Sequence, residues 1–382
     1  MKLTNRPIRF FMLAVLTLAQ VPAFAWGPEA REVITRSAYQ ILQYDIYEIA
    51  KAGDISYEAD LMRGARDGKA VIEETLPLYS DKQAMDAIEY EIQLLREARK
   101  NGAGSHFAYR LGTLSALIAD SMQPYGNAFT PEEKKMKKTL DASIDKIVYS
   151  LNPIIIKPEN KYVSSIPHYF HANRTLFKED SVLIQKDYQR DIGYDGFAST
   201  ATEDYFRRSV EAIVDVWYTI MHPKNNPQAE KPSKSSLTIY YVNEVGYLLN
   251  IKENLDYAKR AYGVYQKINP GLIETHIEVG DMFYDFGKTF SNEDSIELGV
   301  GEWKTAQAKP GNHRKDASTR LSAHYIREGD AYIQHASSPD YFESDLTNAF
   351  HAYENALKYD RTNEIAPQKI TEATVAKKER DD

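Results

Sequence analysis

The stretch Leu111 to Gly126, LGTLSALIADSMQPYG, constrains this chain more than any other. Advanced at 100° per residue, Leu111, Leu114, Leu117, Ile118 and Met122 fall on one side of a helix. His106, Tyr109, Thr113, Ala116 and Asp120 fall on the other. A helix with one face in water carries Lys and Glu on that face. Here the second face carries an aromatic ring, small residues and one carboxylate, so both faces are expected to be covered. A covered Asp120 needs a partner, either a hydrogen-bond donor or a metal ion. Gln123-Pro124 ends the helix, because Pro lacks the amide donor and restricts the residue before it.

The rest of the first half reads as further helices. Ala30 to Ala52 has helical spacing and Gly53 stops it. A second run covers Glu58 to Thr75, with Asp60 near its start, and a charged amphipathic run covers Ser80 to Asn101. Pro131 with Glu132 and Glu133 starts another, which passes Asp141 and Asp145 and reaches Leu151. Residues 152–200, with Pro153, Pro158 and Pro167, read as a long packed connection that ends in the loop DIGYDGFAST. Helical period returns from Ala201 to Met221. No period-two strand is evident, so the expected fold class is all-α.

The first 25 residues read as a signal peptide rather than as part of the fold. Lys2, Arg6 and Arg9 precede the apolar run FFMLAVLTLAQV and the cleavage signal Ala23-Phe24-Ala25. Export to a periplasm or to the outside is the expectation. No later apolar segment has spanning length. The chain has no cysteine, which removes lipidation at an N-terminal thiol, disulfides and thiolate metal ligands. Loss of Lys2, Arg6 and Arg9 moves the formal net charge from −8 to −11. A chain this acidic has no general attraction for nucleic acid or anionic lipid.

The polar, proline-bearing stretch around residues 223–236 separates a helical domain at 26–222 from a second region at 237–365. That region resembles tetratricopeptide repeats, helical hairpins of about 34 residues with small and aromatic residues at fixed places. One frame takes Gly246, Ala258 and Tyr262; the next takes Gly280, Gly299, Trp303 and Ala306. A third takes Gly329, Tyr332, Ala349, Tyr353 and Ala356. Such arrays bury a shared core and present a concave surface. Two readings stay open: a docking surface for a protein or peptide partner, or a spacer that stabilises the first domain. Residues 366–382, ending AKKERDD, read as a solvated charged tail.

Trp26-Gly27 directly after the signal, then a helical domain whose central helix ends Asp120-x-x-Gln123-Pro124, resembles the zinc-dependent phospholipase C and single-strand nuclease superfamily. The resemblance implies a phospholipase C-like helical domain in which an N-terminal Trp, imidazoles and carboxylates hold three zinc ions for phosphodiester hydrolysis. Carried to this chain, the metal positions are Trp26, Asp60, Asp120, Asp141 and Asp145. Arg31, Ala116 and Gly126 stand where the resemblance implies His, and Asp141 also replaces a His. His106 is the one His between Trp26 and Leu151, and zinc sites of this kind lean on imidazole. A three-zinc centre is therefore not expected, although zinc remains the cofactor if the site is partly kept. Asp60, Asp120, Asp141 and Asp145 either hold a harder ion such as calcium or magnesium, or stand unconnected as caps and surface groups.

Weaker candidates complete the reading. His168 and His171 have metal-like spacing but are expected in a loop with no carboxylate pattern. Glu211 and Asp215, four residues apart, are expected to make surface or capping contacts. Three functional expectations follow. One is an exported, divergent homologue without the three-zinc centre that acts by binding. The second is a metal-dependent phosphodiesterase with a rearranged site. The third is a purely structural envelope protein.

Overall fold

The computed structural model describes residues 26–49, 57–73, 76, 78–151, 159–222, 231–268, 271–311, 313–338 and 344–381. Every regular element among them is helical. The expected signal peptide and most of the expected linker lie outside the described residues. The chain divides into two compact units between Lys231 and Pro232, inside that linker.

The first unit contains α1 (Pro28–Ile49), α2 (Tyr57–Asp67), α3 (Ala70–Glu73), α4 (Asp81–Ala98), α5 (Ser105–Ser121), α6 (Pro131–Asp145), α7 (Ile166–Gln189) and α8 (Phe197–Met221). Helix α5 is its axis. All of its residues, polar ones included, are buried, with α1, α2, α4 and α8 packed around it. The helix takes in His106 and Tyr109 as its pattern implies and ends at Ser121, with Gln123-Pro124 in the following turn. Helices α2 and α5 cross where Gly64 meets Gly112. A Cβ on Gly112 would overlap the Leu61 carbonyl oxygen, and one on Gly64 would overlap that of Tyr109. The first turn of α6 is closed by a capping box of Thr130 and Glu133 with Pro131 behind it. At the other end of α8, Arg96 donates to the Thr219 carbonyl and Arg99 to that of Ile220. These guanidiniums satisfy carbonyls that a helix end leaves unpaired.

Residues 159–200 correct the expectation of a connection. Helix α7 alone runs 24 residues. The Ser165 side chain accepts from the His168 amide, and Pro167 sits in the first turn, where its missing N–H is not needed. Pro167 thus starts a helix instead of interrupting a loop. Helix α8 also begins earlier than expected, at Phe197, and takes in the end of DIGYDGFAST.

The second unit contains α9 (Lys234–Asn250), α10 (Leu255–Ile268), α11 (Ile273–Phe290), α12 (Glu293–Ala308), α13 (Arg314–Ala336), α14 (Ser344–Tyr359) and α15 (Ile365–Asp381). The helices pack in consecutive pairs, α9 with α10, α11 with α12 and α13 with α14. The positions singled out by spacing are the ones at the contacts. Ala258, Tyr262, Trp303, Ala306, Ala349, Tyr353 and Ala356 are all buried. The Trp303 indole lies over Tyr284, donates to Asp281 at 2.9 Å, and leaves no room for a side chain at Gly280.

The expected charged tail is a helix. Ala366, Ile370 and Ala373 fall on one face of α15 at intervals of four and three residues. Ala366 and Ala373 are buried, and the Ala373 face packs with Ala349 and Tyr353 of α14. Glu372 and Lys378 are exposed on the remaining faces.

Candidate functional site

Asp120 lies in the last turn of α5 and is fully buried. Its partner is a donor. Arg31, in the first turns of α1 and also fully buried, places Nη2 3.2 Å from Oδ1 and 3.1 Å from Oδ2. Two further cations approach the same carboxylate. Lys137 of α6 holds Nζ 3.5 Å from Oδ2 and donates to the Gly126 carbonyl at 2.8 Å. Lys69 stands 4.0 Å from Oδ2 and 3.4 Å from Glu73.

The electrostatics follow from burial and charge. Burial alone would raise the Asp120 pKa, but Arg31, Lys137 and Lys69 outweigh it and hold the carboxyl below its ordinary value. Burial lowers Lys137 to about 7, with Asp120 pulling the other way. Asp141, one turn further along α6, is raised by burial to about 8. Asp145, also raised by burial, accepts from the Ala30 amide at 3.1 Å and so caps the start of α1. The Trp26 indole donates to the Ala119 carbonyl at 3.1 Å and meets Phe206 edge-on.

The structure thus gathers four of the five predicted positions around the start of α1. Trp26 sits beside the residue before Asp120, Asp145 sits beside Arg31, and Asp141 shares a helix face with Lys137. Asp60 is buried at the start of α2.

These residues do not fit a zinc centre. Both Asp120 oxygens are turned onto a guanidinium. Gly126 stands where an imidazole is implied, yet a Cβ there would overlap the Asp120 main-chain carbonyl. His106 is sealed in the core, its pKa driven well below the usual value by burial and by Arg110. Among the described residues no group of three or more His, Asp or Glu side chains is placed to hold a metal ion.

Sequence reasoning missed Lys69 and Lys137. Lys137 belongs to the run KKMKK, and only its shared face with Leu140, Asp141 and Ile144 marks it as inward. His168 and His171 are exposed on α7 rather than in a loop. Glu211 makes the expected surface contact, with Arg207 at 2.7 Å. Asp215 differs: it is buried and accepts from the Lys161 amide and the Tyr169 hydroxyl, each at 2.7 Å. It ties the chain before α7 to α8.

Several cavities lie open among the described residues, including the following two. One of about 300 Å³ adjoins the Asp120 network and is lined by Gln123, Tyr125, Asn127, Glu133 and Arg174 among others. The other, about 560 Å³, lies in the second unit along α11. No family model matches this chain, and neither a curated protein nor a solved structure is found to be similar to it. Fold and site define the class on their own: an all-helical protein whose first unit is built around an ion-paired interior. No helix among the described residues is long and apolar enough to cross a membrane.

Proposed function

We propose that this chain is an exported, divergent relative of the zinc-dependent phospholipase C and nuclease superfamily that has exchanged its metal centre for internal ion pairs. It acts by binding a protein or peptide partner through tetratricopeptide-like repeats in the second unit. The observation that carries the reading is the Arg31 guanidinium seated on Asp120, with both side chains fully out of solvent. Metal-assisted hydrolysis needs a Lewis acid with an open position for water. A guanidinium supplies fixed positive charge but no such position, so it can orient a carboxylate and cannot generate hydroxide.

The rival reading, a metal-dependent phosphodiesterase, makes the opposite prediction. Purified protein is assayed against an activated phosphodiester with zinc, calcium or magnesium, with and without chelator. Absence of chelator-sensitive hydrolysis supports the binding reading. Hydrolysis that needs a near-stoichiometric metal overturns it.

A further inference from the structure

Helix α11 carries Glu274, Glu278, Asp281 and Asp285 at intervals of four, three and four residues, which places them in one stripe. The stripe lines the groove of about 560 Å³, with Asn250 of α9 and with His313, Asp316 and Arg320 across from it. Ile277 and Met282 supply apolar surface in the same groove. Its one guanidinium is already engaged: Arg320 Nε and Nη2 lie 2.6 and 2.7 Å from the two Asp281 oxygens. His313 stands 3.2 Å from Glu274 and 3.3 Å from Asp316. Glu278 and Asp285 make no ion pair among the described residues. Burial, reinforced by Asp281, raises the pKa of both carboxyls. The groove therefore sets five carboxylates against one guanidinium and one imidazole, an excess of negative charge that Lys288 and Arg327 offset only in part at Asp285, next to apolar side chains.

We propose that this groove docks an extended cationic peptide segment of a partner protein, with Lys or Arg side chains against Glu278 and Asp285 and the intervening residues over Ile277 and Met282. The proposal rests on the binding reading above and names the chemistry of the partner. Spacing sharpens it. Seven helical residues separate the two carboxylates by about 10 Å. A polyproline-II segment returns to the same side every third residue, after about 9 Å. Basic residues three apart in an extended segment match the groove, and adjacent, clustered ones do not.

The test uses the full chain and three labelled peptides of equal length, with Lys, Gln or Glu at every third position, at physiological salt. The expected result is binding of the Lys peptide alone, weakened roughly ten-fold or more, about 1.4 kcal/mol, in the double variant Glu278→Gln with Asp285→Asn. Removing the same charge from the exposed face of α12, with Glu293→Gln and Glu297→Gln, is expected to change binding by less than about two-fold. Neutralising crowded carboxylates does not threaten the fold, and a circular-dichroism melt of each variant checks this. Equal losses in the two double variants, equal binding of the Gln peptide, or no binding of the Lys peptide overturns the proposal. None of these outcomes touches the metal-free reading of the first unit, which stands or falls on the hydrolysis assay.

Discussion

Arg31 and Asp120 carry opposite charges to a place with no solvent, and neither is tolerable there alone. Breaking such a pair by removing one partner costs about 3–5 kcal/mol, because the other is left buried and uncompensated. Arg31→Met is expected to lose that much in urea denaturation. Arg31→Met combined with Asp120→Leu is expected to recover only part of it, since the apolar pair asks for no compensation but leaves the buried Lys137 ammonium without its carboxylate. A loss below about 1 kcal/mol in the single variant would show that Lys137 and Lys69 suffice for Asp120. The second unit has a titrating residue of its own. His324 is pushed down to about 4 by burial, then by Arg327 and Lys304, while its Nδ1 lies 3.3 Å from the Tyr284 hydroxyl. A depressed histidine stabilises the fold while it stays neutral. Stability should therefore fall as pH drops from about 6.5 to about 4. For a part-exposed group the loss is on the order of 1–2 kcal/mol after allowing for screening, and His324→Gln should flatten this pH dependence.

At the scale of elements, the hidden second face of α5 was legible because a run of 17 residues without Lys or Glu has no solvent side. What the composition could not carry was distance. Gly64 and Gly112 look like two ordinary helix-weakening residues until their backbones are seen in contact. Gly112→Ala is expected to cost roughly 2 kcal/mol by forcing α2 and α5 apart. Gly301→Ala, on the exposed face of α12 where a Cβ meets nothing, should gain about 0.5–1 kcal/mol from helix propensity alone. Thermal melts of the two variants should shift in opposite directions. Helices α7 and α15 were not legible, for different reasons. Pro167 serves equally as a break or as a first-turn residue, and only the Ser165 cap decides. In α15 a three-residue apolar stripe is outnumbered by charge. Truncation after Glu364 would uncover Ala349 and Tyr353, and the second unit should then melt at a lower temperature.

On the scale of the whole molecule, the sequence resembles a zinc-site frame without its imidazoles, and the structure shows an ion-paired interior at those positions. Trp26, Asp120, Asp141 and Asp145 remain near one another, but Arg31, Lys137 and Lys69 supply the positive charge that holds Asp120. The resemblance could mark Arg31 as standing where a His is implied. It could not show that Arg31 reaches Asp120, because the two residues are 89 apart along the chain. The central claim is that the first unit is complete without metal. Metal content of the purified chain, measured together with its melting temperature before and after chelator and after added zinc, tests this most directly. Far less than one metal ion per chain and one melting temperature under all three conditions are expected. Close to stoichiometric zinc, with a melting temperature that drops on chelation and returns when zinc is restored, would contradict it.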